Sequence, residues 1–350
     1  MSAWYDPAMR RWRLLLILAL ACGVLLLAVG RPDSDRPPRN FYVAPGGSDS
    51  AVGDEARPFA TLGTALDRLR AGDVLYVHGG VYHEALRNPT LSPGTLVARV
   101  QVLAYPGERP VLAGLLWLHG ADYWTVDGLN VTWDPNLAGP DEHMVKLIGG
   151  HDWAFTNAEV WGARSYAAIL VTGGATNWTL SHLFVHDTQP ANAANQDQLI
   201  YVSDASNGAI EFNLLVGSPN GRGVKLGRPQ AGAQQPSNVH VRYNTIVGNP
   251  GGNVSNSYDA HDNVIERNIL VNGERRANIG AFKLDAATGT LVRDNVGWGS
   301  TTMIEAGSAL VDGGGNLSVD PQLDANYRPT NPALLAPDGT PLYGHLAHPD

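Results

Sequence analysis

One short pattern recurs seven times in this chain and constrains its fold more than any other feature. Each copy is a run rich in β-branched residues, a polar turn and a second short run, without helical periodicity. The copies begin at Thr125, Ala154, Thr179, Ile210, Val241, Ile265 and Val292. Repeating units of roughly 20–30 residues made of short strands are typical of a parallel β-helix, whose loops vary while its coils stack. We therefore predict an all-β chain folded as a parallel β-helix, that is, a solenoid.

The fourth position of the pattern is predicted to form a column along the coils. It holds Gly128, Asn157, His182, Asn213, Asn244, Asn268 and Asn295. Asparagine amides stacked on successive coils can hydrogen bond from one coil to the next, so we interpret this column as structural. The strand ahead of it shifts by one residue between the first three copies and the last four, which this alignment accommodates only with a β-bulge.

Two other columns support the alignment. The first column alternates between acidic and basic residues, which are Glu211, Arg242, Glu266 and Arg293. Residues on neighbouring coils should form surface ion pairs that each contribute little energy. The other holds Trp124, Trp153 and Trp178, which we assign to the core in preference to a sugar-binding stack.

The N-terminal segment predicts export. Arg10, Arg11 and Arg13 precede an apolar run over residues 14–30, which is either a membrane anchor, slightly favoured, or a cleaved signal peptide. Residues 31–40 read as a linker, and everything beyond the apolar run is expected outside the cytoplasm. The net charge of −9 argues against a nucleic-acid partner.

The β-helix domain is predicted over residues 41–350. Residues 41–84 form an N-terminal cap and first coil, 85–315 the stacked coils, and 316–350 a C-terminal wrap. In the cap, Phe59, Leu62, Leu66 and Leu69 fall at helical spacing before Gly72, which predicts a short amphipathic capping helix. We expect the domain to be a monomer.

The sequences at the two ends of this domain resemble those of known proteins. The opening FYVAPGGSDS…ARPFATLGTALDRLRAGDVLYVHGGVYHE and the closing VDPQL…YRPTNPALLAPDG are similar to those of right-handed parallel β-helix proteins of the pectate lyase and chondroitinase-B-like kind, the pectin lyase-like fold. The likeness covers roughly residues 41–339. It implies a right-handed β-helix and an outward groove along one sheet where an extended polysaccharide lies. It does not specify the activity, because such folds carry many functions.

Candidate site residues come from the three lysines of the chain, which all occupy the same local setting. The predicted outward column is Lys146, Leu170, Tyr201, Lys225, Tyr258 and Lys283. Polar residues that suit a substrate-binding surface surround it: Arg222, Arg228, Asp204, Asp259 and His261. Lysine charge beside tyrosine rings suits an anionic sugar chain.

β-Elimination from a uronate needs a base for the proton beside the carboxylate and a cation to stabilise the developing charge. We assign Lys225 as the base, because Arg222 and Arg228 crowd it and neighbouring cations depress a lysine pKa. Arg222 and Tyr201 complete the catalytic set. The pectate lyases that the chain resembles use a lysine base of this type.

The chain also departs from those lyases. They hold Ca²⁺ with clustered aspartates, which this sequence lacks, so its metal ligands are unknown; a dispersed Ca²⁺ site from Asp187, Asp197 and Asp204 is the alternative. An inverting hydrolase pair would be Asp204 and Asp259, at a marginal separation. The His151-Asp152, His186-Asp187 and His261-Asp262 pairs are interpreted as turn residues.

Two functions from different classes follow. The first is a carbohydrate-active enzyme on an extracellular or envelope polysaccharide, acting by elimination from a uronate-containing chain. The alternative is a non-catalytic, membrane-tethered β-helix that binds a glycan or a protein.

Overall fold

Three short strands per coil build a right-handed parallel β-solenoid. The computed structural model describes residues 36–139, 142–190, 197–229, 234–273, 277–282, 288–307 and 309–348. The apolar segment 1–30 and residues 31–35 of the linker lie outside the described residues. Within the described part of the chain, none of the helices has the length and hydropathy of a membrane span.

The strands follow one another as β1 (Asn40–Val43), β2 (Val74–Val77), β3 (Gly80–Arg87), β4 (Val100–Ala104), β5 (Pro110–His119), β6 (Trp124–Asp127), β7 (Asn130–Thr132), β8 (Val145–Ile148), β9 (Ala154–Thr156), β10 (Glu159–Trp161), β11 (Ala167–Thr172), β12 (Thr176–Ser181), β13 (Phe184–His186), β14 (Gln198–Val202), β15 (Ser206–Glu211), β16 (Leu214–Val216), β17 (Val224–Leu226), β18 (His240–Arg242), β19 (Thr245–Val247), β20 (Val254–Ser257), β21 (Val264–Glu266), β22 (Ile269–Val271), β23 (Ile279–Phe282), β24 (Leu291–Arg293), β25 (Val296–Trp298) and β26 (Val311–Asp312).

These strands line three faces. The first face is an 11-stranded sheet in the order β1-β2-β4-β6-β9-β12-β15-β18-β21-β24-β26. The second face stacks β7-β10-β13-β16-β19-β22-β25, and the third stacks β8-β11-β14-β17-β20-β23. The long strand β5 pairs with both β7 and β8 and so joins the second and third faces into one sheet. Each coil visits the three faces in this order.

Side chains along each strand point alternately inward and outward, and the inward ones form one continuous core. On the first face, one apolar residue from each coil points inward in register, namely Val126, Phe155, Leu180, Ile210, Val241, Ile265 and Val292. All of them are buried. The tryptophans Trp124, Trp153 and Trp178 are buried as well, and the last two stack at 5.8 Å between ring centroids. Their assignment to the core is confirmed.

At the corner between the first and second faces, the structure differs from the predicted fourth-position column. Its residues have left-handed backbone conformations with φ between 52° and 78°, and they are Gly128, Asn157, His182, Phe212, Tyr243, Arg267 and Asp294. The next residue points inward, and its column is Leu129, Ala158, Leu183, Asn213, Asn244, Asn268 and Asn295. The predicted column was therefore wrong for its first three members, which are corner residues. Strands β12 and β15 pair in register across the boundary, so the pairing there needs no bulge.

The asparagine ladder is confirmed for the last four coils of that column. The side-chain amide of Asn213 donates to Oδ1 of Asn244 at 2.9 Å, and that of Asn244 donates to Oδ1 of Asn268 at 3.0 Å. Asn268 continues to Asn295 at 2.9 Å, and Asn295 to Asn316 at 3.1 Å. Each of these Oδ1 atoms also accepts the backbone N–H of the preceding ladder residue. The ladder thus satisfies buried backbone groups as well as its own amides.

The alternating charge column is also confirmed. Glu211, Arg242, Glu266 and Arg293 are register partners on the first face. Arg242 Nε lies 2.7 Å from Glu211 Oε2, and Arg293 Nη2 lies 2.7 Å from Glu266 Oε2.

The two ends differ in structure. Near the N-terminus, helix α1 (Leu62–Leu66) is shorter than the apolar spacing suggested, although Phe59 and Leu69 on either side are buried with it. Its role as a cap stays a prediction. At the other end, a 3₁₀ turn (Pro332–Leu334) buries Leu334 against the second-face strands β22 and β25. The tail then returns to Thr245 on β19, whose hydroxyl lies 2.8 Å from Nδ1 of His345.

Candidate functional site

The outward column of the third face contains most of the predicted lysine–tyrosine line. Register partners run from Trp117 on β5 through Lys146, Leu170 and Tyr201 to Lys225 on β17. The next positions hold Ser255 on β20 and Gly280 on β23, where the prediction placed Tyr258 and Lys283. Tyr258 was therefore assigned to the wrong position, since β20 begins at Val254 and Tyr258 follows its end. Lys283 lies outside the described residues.

Lys225 is the best-defined candidate of this column. Its ammonium nitrogen lies 4.3 Å from the ring centroid of Tyr201 and 5.8 Å from that of Tyr258. Tyr258 reaches Lys225 from the turn after β20 and not from the column itself. The lysine thus contacts one aromatic ring on the preceding strand and a second from the following coil, an arrangement in which ring quadrupoles attract a cation.

Burial and a neighbouring cation perturb this lysine. Burial, and secondarily the charge of Arg222, lower the pKa of Lys225 to about 8. Arg222 precedes β17 and is itself buried, with its backbone N–H donating to Gln198 Oε1 at 3.0 Å. Burial also raises the pKa of Tyr201, so its hydroxyl stays protonated. A lysine with a fraction of neutral amine near pH 8 can accept a proton.

Two of the predicted substrate-binding residues bind each other. Asp204 lies 2.9 Å from Arg228 Nη1. It also accepts hydrogen bonds from Thr172 Oγ1, the Gly173 N–H and Ser203 Oγ. Arg228 is thus paired with a carboxylate, and Arg222 is the charged neighbour that lowers the pKa of Lys225. The predicted crowding of Lys225 by Arg228 stays a prediction.

The remaining polar candidates are exposed. Asp259 is exposed in the turn after Tyr258. His261 is exposed too, and its Nδ1 lies 2.8 Å from Asp262.

All three His-Asp pairs are turn features, as interpreted. Nδ1 of the histidine lies 2.8–2.9 Å from the adjacent carboxylate in each of them. The aspartate of each pair has a left-handed backbone: Asp152, Asp187 and Asp262.

The aspartates considered for Ca²⁺ belong to separate hydrogen-bond networks. Asp187 pairs with His186, and buried Asp197 accepts the Asn220 N–H at 2.9 Å. Asp204 is held by Arg228. Among the residues that the structure describes, no three His, Cys, Asp or Glu side chains group as metal ligands.

Trp117 is the site residue that the sequence reasoning missed. It opens the outward column, and Lys146 Nζ lies 5.0 Å from its ring centroid. Trp117 precedes the first copy of the repeat at Thr125, so a search confined to the repeats passes over it. The segment Leu116-Trp117-Leu118 has the same apolar flanks as Val145-Lys146-Leu147, which is the signal that could have found it.

Comparison of the sequence with known proteins finds partial matches. No family model matches the chain. It is 26% identical over 121 residues to pectate lyase PEL9 of Emericella nidulans, covering 35% of this chain and 27% of that protein. It is 29% identical over 109 residues to the uncharacterized protein YwoF of Bacillus subtilis, covering 30% and 23%. The match thus spans about a quarter of the length of each curated relative.

A solved structure extends the likeness over nearly the whole chain. The crystal structure of pectate lyase Pel9A superposes with a TM-score of 0.50 at 14% identity, covering 91% of this chain and 89% of that chain. At this identity the likeness concerns the fold. The resemblance inferred from the two ends of the domain is thereby confirmed: the chain has the parallel β-helix fold of the pectate lyases.

Proposed function

We propose that this protein is an exported carbohydrate-active enzyme that cleaves a uronate-containing polysaccharide by β-elimination on its third face. The observation that carries the proposal is the setting of Lys225, a lysine packed on Tyr201, close to Arg222 and with a pKa near 8. The fold shared with pectate lyase Pel9A and the partial match to pectate lyase PEL9 support it.

In this reaction the neutral amine of Lys225 takes the proton from the carbon beside the uronate carboxylate. The carbon–oxygen bond to the next sugar then breaks, and the electron pair leaves with that oxygen, which takes up a proton from water. The ammonium of Lys225 returns its proton to the solvent. The product carries a carbon–carbon double bond in the uronate ring. Arg222 stabilises the negative charge that develops on the carboxylate, and the ring of Tyr201 supports the sugar.

The test uses the full chain with polygalacturonate, alginate and hyaluronate, with and without Ca²⁺, followed by the absorbance of the unsaturated uronate. We expect the absorbance to rise on one polymer, with kcat increasing as the pH rises through about 8, because the base must be neutral. Lys225→Ala should lower kcat at least about 100-fold, the usual contribution of a general base. Arg109→Ala, which removes one exposed cation from the second-face side, is the matched control.

Full activity in Lys225→Ala would refute the assignment of Lys225 as the base, although the protein would still be a lyase.

The second candidate is a tethered, non-catalytic β-helix that binds a glycan or a protein. The pairing of Asp204 with Arg228 favours it, because that carboxylate is occupied. Binding to one of these polymers without any unsaturated product would support this second candidate.

A further inference from the structure

The surroundings of Lys225 are repeated elsewhere on the third face. Lys146 and Lys225 each follow an aromatic register partner on the preceding strand, Trp117 and Tyr201, with ammonium-to-ring distances of 5.0 and 4.3 Å. A basic residue also stands three positions before each lysine, His143 in one case and Arg222 in the other. We call Trp117, His143 and Lys146 the distal unit.

The distal unit places the Lys146 ammonium beside the Trp117 ring, and the guanidinium of Arg87 lies 5.9 Å from the same ring centroid. Burial, and secondarily the charge of Lys146, lower the pKa of His143 to about 4, so this histidine is neutral near pH 7. The indole N–H of Trp117 donates to the backbone carbonyl of His143 at 2.6 Å, which orients the ring. The nearby Glu142 is bound by Arg87 at 2.7 Å. The ion pairs of the described residues leave Lys146 available for an external anion.

The distance between the two lysines suits a polymer. Lys146, Leu170, Tyr201 and Lys225 are successive register partners, so three strand-to-strand steps separate the lysines. At about 4.8 Å per step this is roughly 14 Å along the solenoid axis. One step is close to the length of one sugar unit in an extended glycan. A chain lying along the axis would therefore place sugar units three apart at the two lysines.

We propose that Trp117 and Lys146 form a second subsite for an anionic sugar, and that the ligand is an extended polyuronate lying along the third face from the distal unit to Lys225. This inference rests on the proposed function. It adds a length requirement, because at least four sugar units are needed to reach from one lysine to the other.

The test measures binding by isothermal titration calorimetry with disaccharides and hexasaccharides of galacturonate, mannuronate and hyaluronate, using the full chain. We expect wild type to bind one hexasaccharide series more tightly than its disaccharide. Lys146→Ala should weaken hexasaccharide binding about tenfold, the loss expected for one charge-assisted contact, and leave disaccharide binding within twofold. Lys146→Arg should restore most of the affinity.

Trp117→Ala should have the same length-dependent effect. Because this change removes a half-buried ring, Trp117→Phe is the companion variant, which keeps a ring in place and should bind more tightly than Trp117→Ala. Arg109→Ala, on the second-face side, is the charge control and should bind both lengths as wild type does.

The outcomes separate the two proposals. Suppose that wild type binds a hexasaccharide, and that Lys146→Ala and Trp117→Ala either bind it as tightly as wild type or lose the same affinity for disaccharide and hexasaccharide. The distal unit is then not a subsite, and the proposed function of Lys225 is unaffected. If wild type binds none of the oligouronates, the proposed substrate class is wrong and the distal subsite falls with it.

Discussion

The earlier and later coils turn the same corner with different side chains. Between the first and second faces, the inward position holds Leu129, Ala158 and Leu183 in the earlier coils and asparagines in the later ones. The preceding residue has the same left-handed backbone throughout. The backbone frame is therefore independent of how the corner is filled. Apolar side chains fill it by packing, whereas asparagines fill it by bonding to the next coil.

The largest effect is expected from replacing a residue in the middle of the ladder. Asn268→Leu keeps roughly the volume but removes the acceptor for the backbone and side-chain N–H groups of Asn244, and the donor to Val241 O. Several buried groups left unsatisfied should cost about 3 kcal/mol or more of unfolding free energy. Urea unfolding measures this loss of unfolding free energy. The control is Asn326→Leu, an exposed position where the unfolding free energy should stay within about 0.5 kcal/mol of wild type. A loss below about 1 kcal/mol for Asn268→Leu would show that packing, and not the ladder, holds these coils.

An asparagine placed in the earlier coils should have an intermediate effect. Leu129→Asn buries an amide among apolar residues and should cost about 3 kcal/mol. Leu183→Asn should cost about 1 kcal/mol less, because Asn213 Oδ1, which already accepts the Leu183 N–H, is there to extend the ladder by one coil. Urea unfolding of both variants makes the comparison. Equal losses would mean that the ladder cannot be extended across the boundary.

The smallest effect concerns acid stability, because each region holds a half-buried histidine with a lowered pKa. Burial lowers the pKa of His143 in the earlier coils and of His345, which lies against Thr245 beside the ladder, from 6.5 to about 4. The unfolded chain binds these protons below pH 6.5 and the folded chain does not until about pH 4. The unfolding free energy should therefore fall as the pH falls from 6.5 to 4.

This acid effect can be divided between the two regions. Urea midpoints at pH 7 and pH 5 for wild type, His143→Gln and His345→Gln measure each contribution. Each variant should show a smaller drop than wild type. An unchanged drop in both variants would assign the acid sensitivity to other groups.

Much of the fold could be predicted because stacked coils place like residues over one another. The charge column from Glu211 to Arg293 and the buried tryptophans follow directly from a period that survives loop insertions. The candidate site was less predictable. Lys146, Tyr201 and Lys225 share one column as expected, but Tyr258 does not, because a loop of different length shifts where β20 begins. The pairing of Asp204 with Arg228 was not visible either, since it joins residues 24 positions apart.

What the sequence by itself determined was the architecture: short strands in a repeating unit, with apolar residues at alternate positions, can bury their side chains only by stacking as coils. What the tertiary structure decided was the direction of single residues at the corners. The left-handed corner position accepts Asn157, His182, Phe212, Tyr243 and Arg267 alike, so residue type does not mark it. Only the hydrogen-bond register between neighbouring coils determines which of two adjacent residues points into the core, because a shift of one residue reverses every side chain of a strand.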